Sequence, residues 1–327
     1  MERLGRVLSS IMPFAIIGGL LYAGIFIKPK ATGASVEPAV LQPRDAFYGI
    51  AAPDDKVIWA VGRDGKVVRS EDAGTRWASQ QTPSRQSLQS LVAWDDRRAF
   101  AVGNQMTALR TEDGGKKWSP VAGLAQAGEA QKLIRARSGT GGKAWIVGEM
   151  GSILASADYG QTWARLGKQE DLAWNDIAAH GAWLTVVGEF GHIRLSEDGG
   201  MNWKEVANLV KSSLCAVRYR DERNGVAVGL EGVILATKDG GRTWSKVVSG
   251  TAEHLYDVAW TGERWVAVGD KGLILTAGEA ADAWAVRSIS ERNYAWHTAL
   301  VSRGDSLYVA GATLAMIDSK NKVQTFK

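Results

Sequence analysis

Residues 228–244 read VGLEGVILATKDGGRTW. An apolar run stops at Gly229, a second apolar run follows, and the stretch closes on a polar turn ending in Trp244. That turn has the form Ser/Thr-x-Asp-x-Gly-x-x-Trp. It occurs at 70–77 (SEDAGTRW), 111–118 (TEDGGKKW), 156–163 (SADYGQTW), 196–203 (SEDGGMNW) and 237–244 (TKDGGRTW). The glycine before it recurs as Gly62, Gly103, Gly148, Gly188, Gly229, Gly269 and Gly311, at spacings of 41, 45, 40, 41, 40 and 42. Fifteen residues after each stands Trp77, Trp118, Trp163, Trp203, Trp244, Trp284 or Phe326. The register outlasts the turn motif, which decays to AGEAADAW in the sixth copy and SKNKVQTF in the seventh.

Periods of about 40–45 residues built from short strand-like runs are typical of propeller blades. The fifth unit divides into LCAVRYR, GVAVG, GVILATK and TWSKVV, each β-branched or alternating and bounded by glycine or aspartate. The pattern predicts an all-β, seven-bladed β-propeller of four-stranded blades over residues 45–327. In each turn the aspartate (Asp72, Asp113, Asp158, Asp198, Asp239) can accept backbone N–H bonds. The glycine two residues on can take a positive φ. The tryptophan (Trp77, Trp118, Trp163, Trp203, Trp244) opens the fourth strand and packs its ring. A turn repeated once per blade reads as architecture rather than chemistry. Only Lys327 follows Phe326, so blade seven is expected to lack a full outer strand and to borrow one from residues 35–42.

The turns resemble Asp-boxes, the bacterial neuraminidase repeats. Combined with the Val-Gly register, as in 228–244, the chain is similar to the photosystem II assembly and stability factor family over roughly residues 45–327. That resemblance implies a seven-bladed propeller that assembles or stabilises a membrane complex. In non-photosynthetic bacteria it implies a place beside transporters of the resistance–nodulation–division type, and it suggests that arginines help hold the partner.

The 327 residues carry 39 basic and 35 acidic side chains. Four of the cations (Arg3, Arg6, Lys28, Lys30) and one acid lie before residue 35, leaving 35 basic against 34 acidic residues. The remainder has no cationic footprint for nucleic acid. Residues 7–27 hold no charge (VLSSIMPFAIIGGLLYAGIFI), the length of one membrane span. The alternative is a cleaved signal peptide, but the two lysines directly after the run make a poor cleavage context. The expected order is a short cytoplasmic tail (1–6), a transmembrane signal anchor (7–27), a tether (28–44) and the propeller (45–327). The propeller is expected on the periplasmic side of an inner membrane. The single cysteine, Cys215, forms no intrachain disulfide.

No catalytic, cofactor or metal residues are predicted. The four histidines, His180, His192, His254 and His297, lack the close spacing of a helical metal motif. The glycine-rich turns lack the lysine and helix of a phosphate loop. A sialidase-like or other carbohydrate-binding propeller is the alternative; converging arginines and carboxylates in a pocket would favour it. A photosystem II assembly role is a third reading. Partner binding is expected from Tyr48, Trp174, Tyr256, Tyr294, Trp296 and His297 near the first strands, with core packing as the alternative for each. Loop tips Arg63, Met150 and Phe190 are added, unless they fold onto neighbouring loops. So are Arg69 and Arg110, seven residues after the key glycine in adjacent blades, as a small basic strip or as ordinary solvated arginines.

Overall fold

The structure, a computed structural model, describes residues 12–22, 39–124, 130–288, 295–318 and 322–326. The chain divides into two compact units, Met1–Ala39 and Val40–Lys327. In the first, residues 12–22 are helical with their apolar side chains exposed. At 1.5 Å per residue this helix is about 16 Å long, roughly half of a bilayer's hydrocarbon core. No helix among the described residues is long and apolar enough to cross a membrane. The rest of 7–27 lies outside the described residues.

The second unit is seven four-stranded antiparallel sheets, each built from four consecutive strands. We number them blades 1 to 7. The inner strands are Phe47–Ala51, Leu88–Ala93, Leu133–Ser138, Trp174–His180, Leu214–Tyr219, Leu255–Trp260 and His297–Arg303. The second strands, such as Ile58–Gly62 (IWAVG) and Trp265–Gly269 (WVAVG), are buried along their length, save for a half-buried first residue in blades 4 and 7. Each is covered by a neighbouring blade on both sides, hence the continuous apolar run in place of alternation. The core is accordingly not one mass. Seven apolar clusters lie between successive blades, for example Trp59, Leu88 and Leu109 between blades 1 and 2. The key glycine ends each second strand where the start of the inner strand passes close by. A Cβ on Gly62 would sit 1.9 Å from the Ala46 carbonyl oxygen.

The repeated turns sit at the ends of the third strands. In blade 4, Asp198 Oδ1 accepts the Asn202 N–H at 2.9 Å, and Gly200 takes φ 94°. The Ser/Thr that opens the motif does as much. Ser196, 1% exposed, donates to Asp198 Oδ1 at 2.8 Å and accepts the Gly200 N–H at 2.8 Å. Ser70, Thr111, Ser156 and Thr237 repeat both contacts. The turns also bond to the loops between first and second strands, as Gly199 N–H does to the Ala182 carbonyl at 2.7 Å. The boxes therefore lie at the opposite face from the starts of the inner strands.

Blade 7 differs from expectation. Val323–Thr325, just before Phe326, form its outer strand and pair with Leu314–Ile317. No strand is borrowed among residues 39–42; residues 35–38 lie outside the described residues. Instead Val40 and Leu41 pack on the cluster between blades 7 and 1. Phe326 closes that seam, its ring 5.4 Å from Trp77 and 6.5 Å from Tyr308.

Candidate partner-binding site

Every inner strand carries a β-bulge one residue after its start, shown by the same register break in all seven ladders. A bulge leaves one residue unpaired and re-aims its side chain. The seven bulged residues are Tyr48, Gln89, Ile134, Asn175, Cys215, Tyr256 and Thr298. Together they line one open funnel at the channel mouth, about 870 Å³ counting the mouth itself. Lys132, Glu189 and Leu230 contribute to its rim, and Arg135 lines it as well.

One register step deeper, charged groups from four blades meet. Asp176, fully buried, accepts Arg137 Nε and Nη2 at 2.8 and 2.9 Å, Arg218 Nη1 at 2.6 Å, and the N–H groups of Ile177 and Val217 at 2.9 and 3.0 Å. Asp257, 1% exposed, accepts Val258 and Leu300 N–H at 3.0 and 3.1 Å and Arg218 Nη2 at 3.2 Å. Each aspartate thus ties its own inner strand to that of the next blade. Burial alone would raise the Asp176 pKa; the charges of Arg137, Arg218 and Arg135 overcome it and hold the carboxyl well below the usual range. Burial, then the like charge of Arg137, lowers the Arg218 pKa. Three guanidiniums share two carboxylates. Arg135 is held more loosely: 8% exposed, it approaches Asp176 and Asp257 only at 4.0 and 3.8 Å, its Nη2 donates to the Tyr256 carbonyl at 3.4 Å, and its buried Nε has no hydrogen-bond partner.

The cluster limits what chemistry the channel supports. A carboxylate has about four lone-pair positions, and Asp176 already accepts five donors, so it is poorly placed to act as nucleophile or proton carrier. Burial pushes the Cys215 thiol up to about 12, which keeps it protonated and a weak nucleophile. Arg135, by contrast, is a desolvated cation facing an open funnel, suited to an incoming carboxylate or other anion.

Several expected residues reach this site. Tyr48 lines the funnel and stacks on Trp296 at 5.8 Å, nearly parallel. Tyr256 lines it too, its hydroxyl 3.2 Å from Asp270 Oδ2. Trp174 and His297 do not: both are fully buried and occupy the inner-strand position held by leucine in four other blades. Trp174 packs in the cluster between blades 3 and 4. Tyr294 lies outside the described residues. Of the loop tips, Arg63 is exposed, Met150 half-buried, and Phe190 is 62% exposed at φ 53°. The basic strip does not form. Arg69 pairs with Glu71, bonds the Asp96 carbonyl at 2.9 Å and stacks on Trp59, while Arg110 pairs with Glu112.

Arg135, Arg137, Asp176, Arg218 and Asp257 were not foreseen. Their signal is present in the sequence: charged side chains on inner strands where other blades place Gly49, Ala51, Val92, Ala216 or Ala299. Among the described residues no group of His, Cys, Asp and Glu is arranged to hold a metal ion.

Comparison with known proteins agrees with this architecture. The structure of "YCF48 bound to D1 peptide" is similar with a TM-score of 0.68 and 17% identity, over 82% of this chain and 91% of that one. "YCF48 from Cyanidioschyzon merolae" gives 0.70 and 16%, over 86% and 98%. The WD40 β-propeller domain of Doa1 gives 0.67 at 12% identity, over 90% and 97%. Among curated protein sequences nothing matches. Residues 85–327, most of the chain, match the family described as Photosynthesis system II assembly factor YCF48, and the chain belongs to that family.

Proposed function

We propose that this chain is a non-catalytic recognition propeller that acts as an assembly factor or accessory subunit of an inner-membrane protein complex. Its funnel takes an extended acidic segment of the partner. The observation that carries the reading is Arg135, a guanidinium whose carboxylate neighbours stand no nearer than 3.8 Å and which lines a mouth built from all seven blades. The aromatic pair Tyr48 and Trp296 supplies the rigid apolar contact typical of interface hot spots. The family name, and a fold neighbour whose title describes it with a bound D1 peptide, support a protein ligand. The uncharged run 7–27 supports a single membrane anchor with the propeller on the periplasmic side. A transporter of the resistance–nodulation–division type is the preferred partner class, on family resemblance alone.

The converging arginines and aspartates also suit a carbohydrate site. The hydrogen bonds of the aspartates weigh against that alternative: Asp176 already accepts five donors, and Asp257, 1% exposed, accepts three.

The test is a mild-detergent pull-down with the full-length protein beside Arg135→Gln and Tyr48→Ala. A polytopic membrane protein retained by the parent and lost from both variants, each still folded by circular dichroism, supports the reading. Equal retention by all three, or no membrane protein at all together with a positive glycan array, overturns it.

A further inference from the structure

Blade 6 has an outer edge unlike the others. The fourth strands are Ala78–Gln80, Ser119–Pro120, Ala164–Arg165, Lys204–Glu205, Ser245–Val247, Trp284–Ser288 and Val323–Thr325. Six are two or three residues long, which is how natural sheets blunt an edge. Trp284–Ser288 has five, paired without a break to Leu273–Ala277. It contains no proline and one charge, and four of its five side chains are exposed. The turn before it is the decayed copy AGEAADAW. Two exposed valines stand here: Val286 on the strand, and Val248, 85% exposed, at the end of the neighbouring outer strand. Val286 also reaches toward Gly250 in the connection between blades 5 and 6, 3.2 Å from where a Cβ on that glycine would lie.

The direction of the free backbone follows from the shared register. In blades 2, 3 and 4 the residue three after the tryptophan donates its N–H inward: Val121 to Ala108, Leu166 to Ile153 and Val206 to Ile193. The equivalent residue in blade 6 is Arg287, paired with Ile274. In an antiparallel ladder bonded and non-bonded pairs alternate. Val286 therefore turns its N–H and C=O away from the blade, and among the described residues no strand meets them.

We infer that this edge pairs with the same edge of a second copy of the chain. A two-fold axis through Val286 sets the two outward Val286 backbones opposite each other as a mutually bonded antiparallel pair. It also sets Arg287 opposite Ala285 of the other copy, so the strand's one charge never faces itself. A shift of one residue would put either an Arg287 pair or an Ala285 pair on the axis, and would direct inward-bonded backbone at the partner. The strand is thus self-complementary in one register, as a closed two-fold contact requires. The surface is separate from the channel mouth, so this inference stands apart from the proposed function.

The test uses the full-length protein in detergent. Mass by light scattering should show a concentration-dependent dimer. Val286→Pro removes an N–H that no bond among the described residues uses, so the melting midpoint should hold while the dimer is lost. In a Cys215→Ser background, Val286→Cys should cross-link with a short bis-maleimide, and Glu205→Cys, its counterpart on blade 4, should not. A parent monomeric at every concentration, a folded Val286→Pro that still dimerises, or equal cross-linking at both positions would overturn the inference. If Val286→Pro does not fold, the cross-linking pair decides.

Discussion

Truncating Asp176 tests whether the channel charges hold the ring together. Asp176→Ala strips three guanidinium bonds from Arg137 and Arg218 and leaves the N–H groups of Ile177 and Val217 without their acceptor. Arg135, Arg137 and Arg218 would then share Asp257 alone. Breaking a buried ion pair from one side costs about 3–5 kcal/mol, and the two orphaned N–H groups favour the upper end. Set against a typical total of about 5–15 kcal/mol, the loss is large. With a urea slope near about 3 kcal/mol/M for a domain of this size, the midpoint followed by tryptophan fluorescence should fall by about 1–2 M. The pH dependence carries its own sign. The folded pKa of Asp176 is depressed below its ordinary 3.8, so its contribution is complete above that value and is lost as the pH falls through the folded pKa. The gap between parent and variant should be flat from about pH 5 to 8 and close only in strong acid. A midpoint shift under about 0.3 M, or a gap that closes near neutrality, refutes the idea that this cluster links blades 3 to 7.

Three further outcomes are expected. Burial pushes the His297 pKa down from 6.5 to about 4, so the folded state holds the neutral form and loses stability as the pH drops through that window. His297→Leu, the residue other blades use there, should remove about 3 kcal/mol of that acid sensitivity between pH 6.5 and 4, read from melting curves across the range. Ser196→Ala orphans the Gly200 N–H and should cost about 1–3 kcal/mol in urea unfolding, whereas Ser196→Thr, the residue in two other blades, should be nearly silent. Phe326→Ala opens the seam between blades 7 and 1 and should cost about 3–5 kcal/mol, read as the change in unfolding free energy.

The propeller was legible because its determinants are local and repeated. A glycine crowded by the backbone of its own blade's inner strand, an apolar run covered on both sides and a serine–aspartate turn all recur at one period. Each decides its own few residues, so the register from Gly62 to Gly311 survives even where the boxes decay. Blade 7's outer strand was missed because it lies before Phe326, not after it as in the blades with a tryptophan: Phe326 donates its N–H to the Leu314 carbonyl, and Val323–Thr325 is short enough to pass for a tail. The channel cluster was missed for another reason. Arg135, Asp176, Arg218 and Asp257 come from four blades, Arg218 three residues past its bulge and the others one, and only the closed ring brings them together. Stacking successive inner strands would have exposed them, since an aspartate at a position filled elsewhere by Gly49 or Ala216 has no solvent to face. Trp174 and His297 were expected at the partner surface on residue type, with core packing as the alternative; their position in the ladder, shared with Leu88 and Leu255, makes them core.

The seam between blades 7 and 1 is the same kind of joint as the other six: a layer of side chains with no strand exchanged across it among the described residues. Each sheet is therefore encoded by one uninterrupted stretch of sequence. A duplication or deletion of a whole period would add or remove a finished wedge and leave no orphan strand. The number of wedges in the circle is then a question of the angle each occupies, not of a latch at the ends. A lineage of such proteins can change ring size in single genetic steps.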